Sequence, residues 1–224
     1  MELKATSLGK RLAQHTYDRA VMLHAGVKVS GDRHEYLIPY NQLLAIVCKR
    51  GLVWGELEFV LSDAKVVRLH GTEWAQTQQF YQHLNAHWQA WSSQMSEVAA
   101  GVLQETVETL SSGMKANRWL TRQQTTGLQD RIRHAFAALP LPQARLDEFD
   151  NCREAWQQCQ RWLVDVEASR AAHNREYTRK MLVQYAPFFA SVESSPLNPA
   201  QAEAVVNGEQ SLLVLAGAGS GKTS

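Results

Sequence analysis

The sequence predicts an α+β protein: a β-rich opening, then long helices, then a short helix, a strand and a glycine-rich loop. Three observations predict it. Within the first seventy residues, short apolar stretches are separated by turn formers such as Ser30-Gly31-Asp32, Arg50-Gly51 and Ser62-Asp63. From Thr72 the apolar residues switch to alternating steps of three and four, the period of a helix face. The last thirteen residues read LLVLAGAGSGKTS, an apolar run that enters three spaced glycines.

The strands are expected over residues 20–29, 34–40, 42–48, 52–61 and 64–70, with Pro39 at an edge or break. A long helix follows, because Tyr81, Leu84, Trp88, Trp91, Met95, Val98 and Val102 form one apolar stripe. Thr72 is its expected N-cap, Glu73 suits the first turn, and Gly113 marks the stop. The tryptophans lie on the stripe, so they read as core and not as platforms for bases. Thr121-Arg122-Gln123-Gln124 is a capping box in its Gln form, opening a helix with Leu128, Ile132, Phe136 and Leu139 on one face. A third helix is expected over 146–185, striped by Phe149, Cys152, Trp156, Cys159, Leu163 and Val166. Beyond Glu167 that stripe turns polar at Arg170, His173 and Tyr177, so this end is expected to be less buried or to pack on something outside these residues. Asn198 as N-cap and Pro199 at N1 open a short helix over 200–206, ended by Asn207-Gly208. The expected organisation is a β-rich domain with its long helix (1–112), a helical extension (113–190) and the start of a further domain (191–224).

Composition narrows the class. A chain of 224 residues with 45% hydrophobic content can bury a sizeable core in more than one domain. No apolar run approaches the length of a membrane span, and MELKATSLGKRLAQH lacks the apolar centre of a signal peptide. A cytoplasmic location and no membrane partner are expected. The three cysteines match no zinc spacing; Cys152 and Cys159 share a helix face as small buried residues. His83 and His87 stand four apart without the intervening Glu of a zinc helix, and read as exposed helix residues. Net charge is +1, but residues 113–190 carry twelve Lys/Arg against eight Asp/Glu, a mild excess compatible with nucleic acid.

The glycine-rich ending carries the chemistry. A buried-type strand over 211–215 runs into Ala216-Gly217-Ala218-Gly219-Ser220-Gly221-Lys222-Thr223, the phosphate-loop pattern with Ala216 where the first Gly usually stands. Gly217, Gly219 and Gly221 permit close backbone approach, and the N–H groups from Ala216 through Ser220 form a nest for phosphate oxygens. Lys222 is the expected catalytic charge on the β/γ-phosphates, and the Thr223 hydroxyl the expected Mg²⁺ ligand. Such a loop works with the helix that follows it and with a Walker B acid on a later strand, and neither lies within these residues. The chain is therefore expected to be the front of a longer protein. Alone it is expected to bind nucleotide weakly and to turn nothing over.

LNPAQAEAV over residues 197–205, followed closely by LLVLAGAGSGKT, resembles the opening of UvrD/Rep-type superfamily-one DNA helicases. The resemblance implies that Gln201 reads the adenine edge, and an amide suits that task with one acceptor and one donor. It also makes Ala216 ordinary at the head of the loop. The preceding residues are similar to the N-terminal extension of the bacterial helicase IV family. Together these imply a small pleckstrin-homology-like β-roll capped by a helix, further helices, and then the first helix, strand and phosphate loop of an incomplete RecA-like α/β ATPase domain. The implied activity is ATP- and Mg²⁺-driven 3′-to-5′ translocation on single-stranded DNA with unwinding of duplex DNA. Two alternatives stay open: residues 1–190 serve as a non-catalytic DNA- or protein-docking module, or the loop belongs to a different ATPase, which the Asn198-Pro199…Gln201 element disfavours.

Overall fold

The structure, a computed structural model, describes residues 1–13, 16–115, 117–191 and 196–209. They fall into two compact units: Met1–Gln104 with Phe136–Trp156, and Glu105–Ala135 with the described residues from Gln157 onward. The α+β class holds, with antiparallel sheets first and long helices after them.

In the first unit, β1 (Glu2–Lys4), β2 (Arg19–Leu23), β3 (Gly26–Ser30) and β4 (Glu35–Pro39) form one antiparallel sheet in sequence order. Helix α1 (Ser7–Ala13) lies between β1 and β2 in sequence. The strands β5 (Leu43–Arg50), β6 (Gly55–Leu61) and β7 (Val66–Thr72) form a second antiparallel sheet. An isolated bridge between Ala5 and Thr72 joins the β1 edge to the β7 edge, so the two sheets curl as one roll. Beside it the backbones of Gly9 and Gly71 meet directly, and Gly71 has φ +77°, which a side chain at either position would obstruct.

The core between the sheets is built from the inward face of each strand. Val27, Val29, Ile38, Leu57, Phe59, Leu61 and Leu69 are buried, and the first turns of α2 (Trp74–Lys115) close it with Phe80, Leu84 and Trp88. Further along α2, small residues replace large ones on the buried face. Ser92, Ser96 and Ala99 are buried while Val98 of the expected stripe is 52% exposed. The small side chains admit a close neighbour. Cys152, near the start of α4 (Asp150–Val164), places its Sγ 3.3 Å from the Ser96 carbonyl, and Asn151 donates to the Ser96 hydroxyl. Arg145, only 3% exposed, donates to Ser92 and Glu148 and lies 4.2 Å over the Trp88 ring.

The second unit includes most of α3 (Arg122–Ala137), the end of α4, α5 (Val166–Gln184), α6 (Ala186–Phe189) and α7 (Pro199–Val206). The capping box expected at α3 is made: Gln124 N–H donates to the Thr121 hydroxyl at 3.2 Å, and Thr121 N–H donates to Gln124 Oε1 at 3.0 Å.

Several boundaries differ from the sequence expectation. Residues 20–29 are a hairpin and not one strand, because Leu23 pairs with Gly26 across a tight turn at His24-Ala25. Leu52 and Val53 sit exposed at the β5–β6 turn, and β6 begins at Gly55. Thr72 does not cap α2; it ends β7, and its hydroxyl is committed to the Gly55 carbonyl and to Thr77. The helix continues through Gly113 to Lys115. The helix expected over 146–185 is divided, since Asp165 departs from helical backbone (φ −107°, ψ 23°) between α4 and α5. The change of the stripe from apolar to polar beyond Glu167 falls close to this break, but spacing alone does not show the backbone departing from the helix.

Candidate nucleotide-binding site

Helix α7 is the described element nearest the expected phosphate loop, and its start is built by local chemistry. Asn198 lies in extended backbone as the N-cap, and Pro199 follows at a position where a missing N–H costs nothing. The Asn198 side-chain oxygen accepts from Gln201 N–H at 3.0 Å, and Gln201 Oε1 accepts from Asn198 N–H at 2.9 Å. Gln201 thereby has its amide carbonyl pinned and is half-buried. One carbonyl lone pair and the Nε2 hydrogens remain beyond the cap, which is the acceptor-and-donor pair an adenine edge requires. Ala202, the next residue of the helix, is buried.

The polar stretch of α5 holds the segment just past α7 and residues 118–120. Arg170 donates through Nη1 to Glu209 at 2.5 Å and through Nη2 to Glu167 at 2.9 Å. His173 Nε2 lies 2.8 Å from the Arg118 carbonyl, which only accepts, so this nitrogen is the donor. Asn174, buried, exchanges two 2.9 Å hydrogen bonds with the backbone N–H and C=O of Leu120. Tyr177 meets the Trp119 ring edge to face at 6.3 Å. The stripe that turns polar beyond Glu167 is therefore packed, on polar partners.

Gly208, just past α7, lies against Trp119 so closely that a side chain there would come within 2.6 Å of the Trp119 Cβ. A cleft of about 570 Å³ opens beside this contact, lined by Trp119, Thr121, Arg122, Arg170, Asn207 and Glu209 among others. Arg170, Glu209 and Trp119 are the residues that sequence reading missed here. Their only advance signal was the loss of apolar period beyond Glu167.

Of the expected site residues, Gln201 is placed as above. The strand over 211–215 and the loop residues Ala216, Gly217, Ala218, Gly219, Ser220, Gly221, Lys222 and Thr223 lie outside the described residues. No cluster of three or more His, Cys, Asp or Glu suited to a metal occurs among the described residues. His83 is exposed as expected, whereas His87 is half-buried with Nδ1 3.1 Å from the Tyr40 hydroxyl. Cys152 and Cys159 are buried free thiols, and burial pushes Cys159 up to about 11, far from a reactive thiolate. No described helix is long and apolar enough to cross a membrane.

The model of the family described as DNA helicase IV / RNA helicase N terminal matches residues 1–164. DNA helicase IV of Escherichia coli (strain K12) is 71% identical over 224 residues, which is 100% of this chain and 33% of that protein. The chain thus spans about a third of the length of the curated relative it matches. No solved structure matches it.

Proposed function

The chain belongs to the DNA helicase IV / RNA helicase N-terminal family, and from that membership we propose that it is the front of an ATP-dependent DNA helicase of the cytoplasm. The observation that carries this reading is the 71% identity to a DNA helicase over all 224 residues, a span that includes the expected phosphate loop. On this reading residues 1–112 and 113–190 are accessory, and the ATP-binding domain opens near residue 191. Bound ATP-Mg²⁺ supplies the free energy for 3′-to-5′ movement along single-stranded DNA and for opening duplex DNA.

The residues of this chain divide the binding task by chemistry. Gln201 supplies the amide for adenine, and the cap on its carbonyl reduces the rotamers it must give up on binding. The backbone from Ala216 to Gly221 cradles phosphate oxygens, with Gly217, Gly219 and Gly221 making room. Lys222 places a positive charge where negative charge grows on the β/γ-phosphates, and Thr223 offers a hydroxyl to Mg²⁺.

The test is Lys222→Ala in the full-length protein. DNA-stimulated ATP hydrolysis is expected to fall by about two orders of magnitude or more, the scale of losing a preorganised charge at the reacting phosphate. Hydrolysis at the unaltered rate would refute the assignment. A second reading, a docking module within residues 1–190, is favoured by Arg118, Arg122, Arg131, Arg161 and Arg175. All five are exposed, with no ion pair among the described residues.

A further inference from the structure

We propose that the tip of the β5–β6 hairpin, Leu52 and Val53 with Arg50 beside them, meets the last base pair where duplex DNA gives way to single strand; this rests on the DNA helicase reading above. Gly51 N–H donates to the Trp54 carbonyl at 2.9 Å, so Leu52 and Val53 are the two central residues of the turn. Small or polar turn formers usually hold such positions, because they reach the positive φ that matches the twist of the strands. Here both residues are aliphatic and neither has positive φ. Leu52 is fully exposed and Val53 is 72% exposed. Neither belongs to the core, so the fold gains nothing from their apolar character.

Behind the tip the hairpin is fixed. Its strands pair up to Arg50 opposite Gly55. The Gly55 carbonyl accepts from the Thr72 hydroxyl at 2.9 Å, and that hydroxyl meets Thr77 of α2 at 2.6 Å. The charges at this end are mostly committed: Lys49 to Glu58 at 2.6 Å, and Glu56 to His70 at 3.0 Å. Arg50 differs, being exposed with no ion pair among the described residues. Its guanidinium lies 5.8 Å from the centre of the Trp74 ring.

Shape and charge together select DNA as the occupant. A two-residue projection buries far less than the roughly 800 Å² per partner that a stable protein interface needs. An aliphatic wedge against a base step acts through a small contact, by replacing the stacking it disrupts. The phosphates flanking that step supply the anion that Arg50 lacks. A rigid ribbon with an apolar end and a free cation beside it is thus suited to a base pair and its backbone.

The experiment uses the full-length protein and a duplex with a single-stranded tail, carrying 2-aminopurine in the pair at the junction. Probe fluorescence is read without ATP, duplex opening with ATP, and ATP hydrolysis on single-stranded DNA. The unaltered protein is expected to brighten the probe, because unstacking relieves its quenching. Leu52→Asn combined with Val53→Gly installs a favoured hairpin turn and so leaves folding intact. This double variant is expected to abolish the brightening and to slow duplex opening about tenfold, the scale of stacking at one base-pair step. Its hydrolysis on single-stranded DNA is expected to stay within about twofold. Leu52→Met combined with Val53→Ile keeps an apolar tip and is expected to behave as the unaltered protein does. Arg50→Gln is expected to lower the slope of log junction affinity against log salt by about 0.9. An unaltered protein that leaves the probe dark overturns the proposal, as does brightening and opening that persist in the first double variant. An equal fall in duplex opening and in hydrolysis on single strands also overturns it, since the tip would then act on another part of the protein. Brightening by an unaltered protein that opens no duplex would refute the helicase reading and leave the DNA contact standing.

Discussion

Asn174 is a buried polar side chain that ties two segments of the helical unit together. It is buried and gives Leu120 both a donor and an acceptor, as a neighbouring strand would. Removing it leaves two backbone groups without partners in a dry site. Asn174→Ala is therefore expected to cost about 2–4 kcal/mol, measured by urea denaturation. Asn174→Asp is expected to cost at least as much, because it loses the donor and adds a buried charge. Nothing about Asn174 stands out in the sequence, where it is one polar residue in a polar stretch. Its partner is fifty-four residues away, and no local period encodes that distance. The Asn198/Gln201 and Thr121/Gln124 pairs are the opposite case. Their partners lie three residues apart, so the spacing alone announces them.

At the scale of elements, the second sheet carries a charge ladder on its outer face. Glu58 of β6 accepts from Lys49 of β5 at 2.6 Å and from Arg68 of β7 at 2.8 Å. The hydrogen bond from Lys49, then that from Arg68, hold its carboxyl below the usual carboxylate range despite an opposing desolvation cost. A group depressed in the folded state stabilises the fold above its unfolded pKa, and that contribution is lost as pH falls through the folded value. Thermal stability is thus expected to decline as pH drops below about 4.5, the ordinary Glu value. In Glu58→Gln the decline below that pH is expected to be shallower, read as melting temperature against pH. The strands themselves were largely legible, and the turns less so. AVMLHAGVKV contains no strong turn pair, so a hairpin reads as one strand; the pairing of Leu23 with Gly26 is a tertiary fact. Likewise the α2 stripe was legible through Trp88. Beyond it, Ser92, Ser96 and Ala99 are buried because Arg145, Asn151 and Cys152 need room, which hydrophobicity does not register.

For the molecule as a whole, charge separates the two functional readings. Five exposed arginines with no ion pair among the described residues lie in the second unit. If that unit docks single-stranded DNA, log affinity against log salt is expected to have a slope of about −3.5, one counterion-release contribution per arginine. Fluorescence anisotropy with a labelled oligonucleotide measures it, and Arg118→Ala is expected to reduce the slope by about 0.7. A flat salt dependence, or no binding at low salt, would leave only the protein-docking version of that reading.

By itself the sequence determined the α+β class, the caps of α3 and α7, the burial of Cys152 and Cys159, and the chemistry expected of Gln201 and the loop from Ala216 to Thr223. These rest on short-range patterns: a period, a three-residue cap, a run of glycines before Lys and Thr. Only the tertiary structure decided that the edges β1 and β7 meet to close the roll, that α4 bends into α5 at Asp165, and that Arg170 reaches Glu209. The physical reason is common to all three. The roll closure and the Arg170–Glu209 pair join groups far apart in the chain, and the bend at Asp165 is a backbone departure that apolar spacing does not encode; none is written in a hydrophobic period.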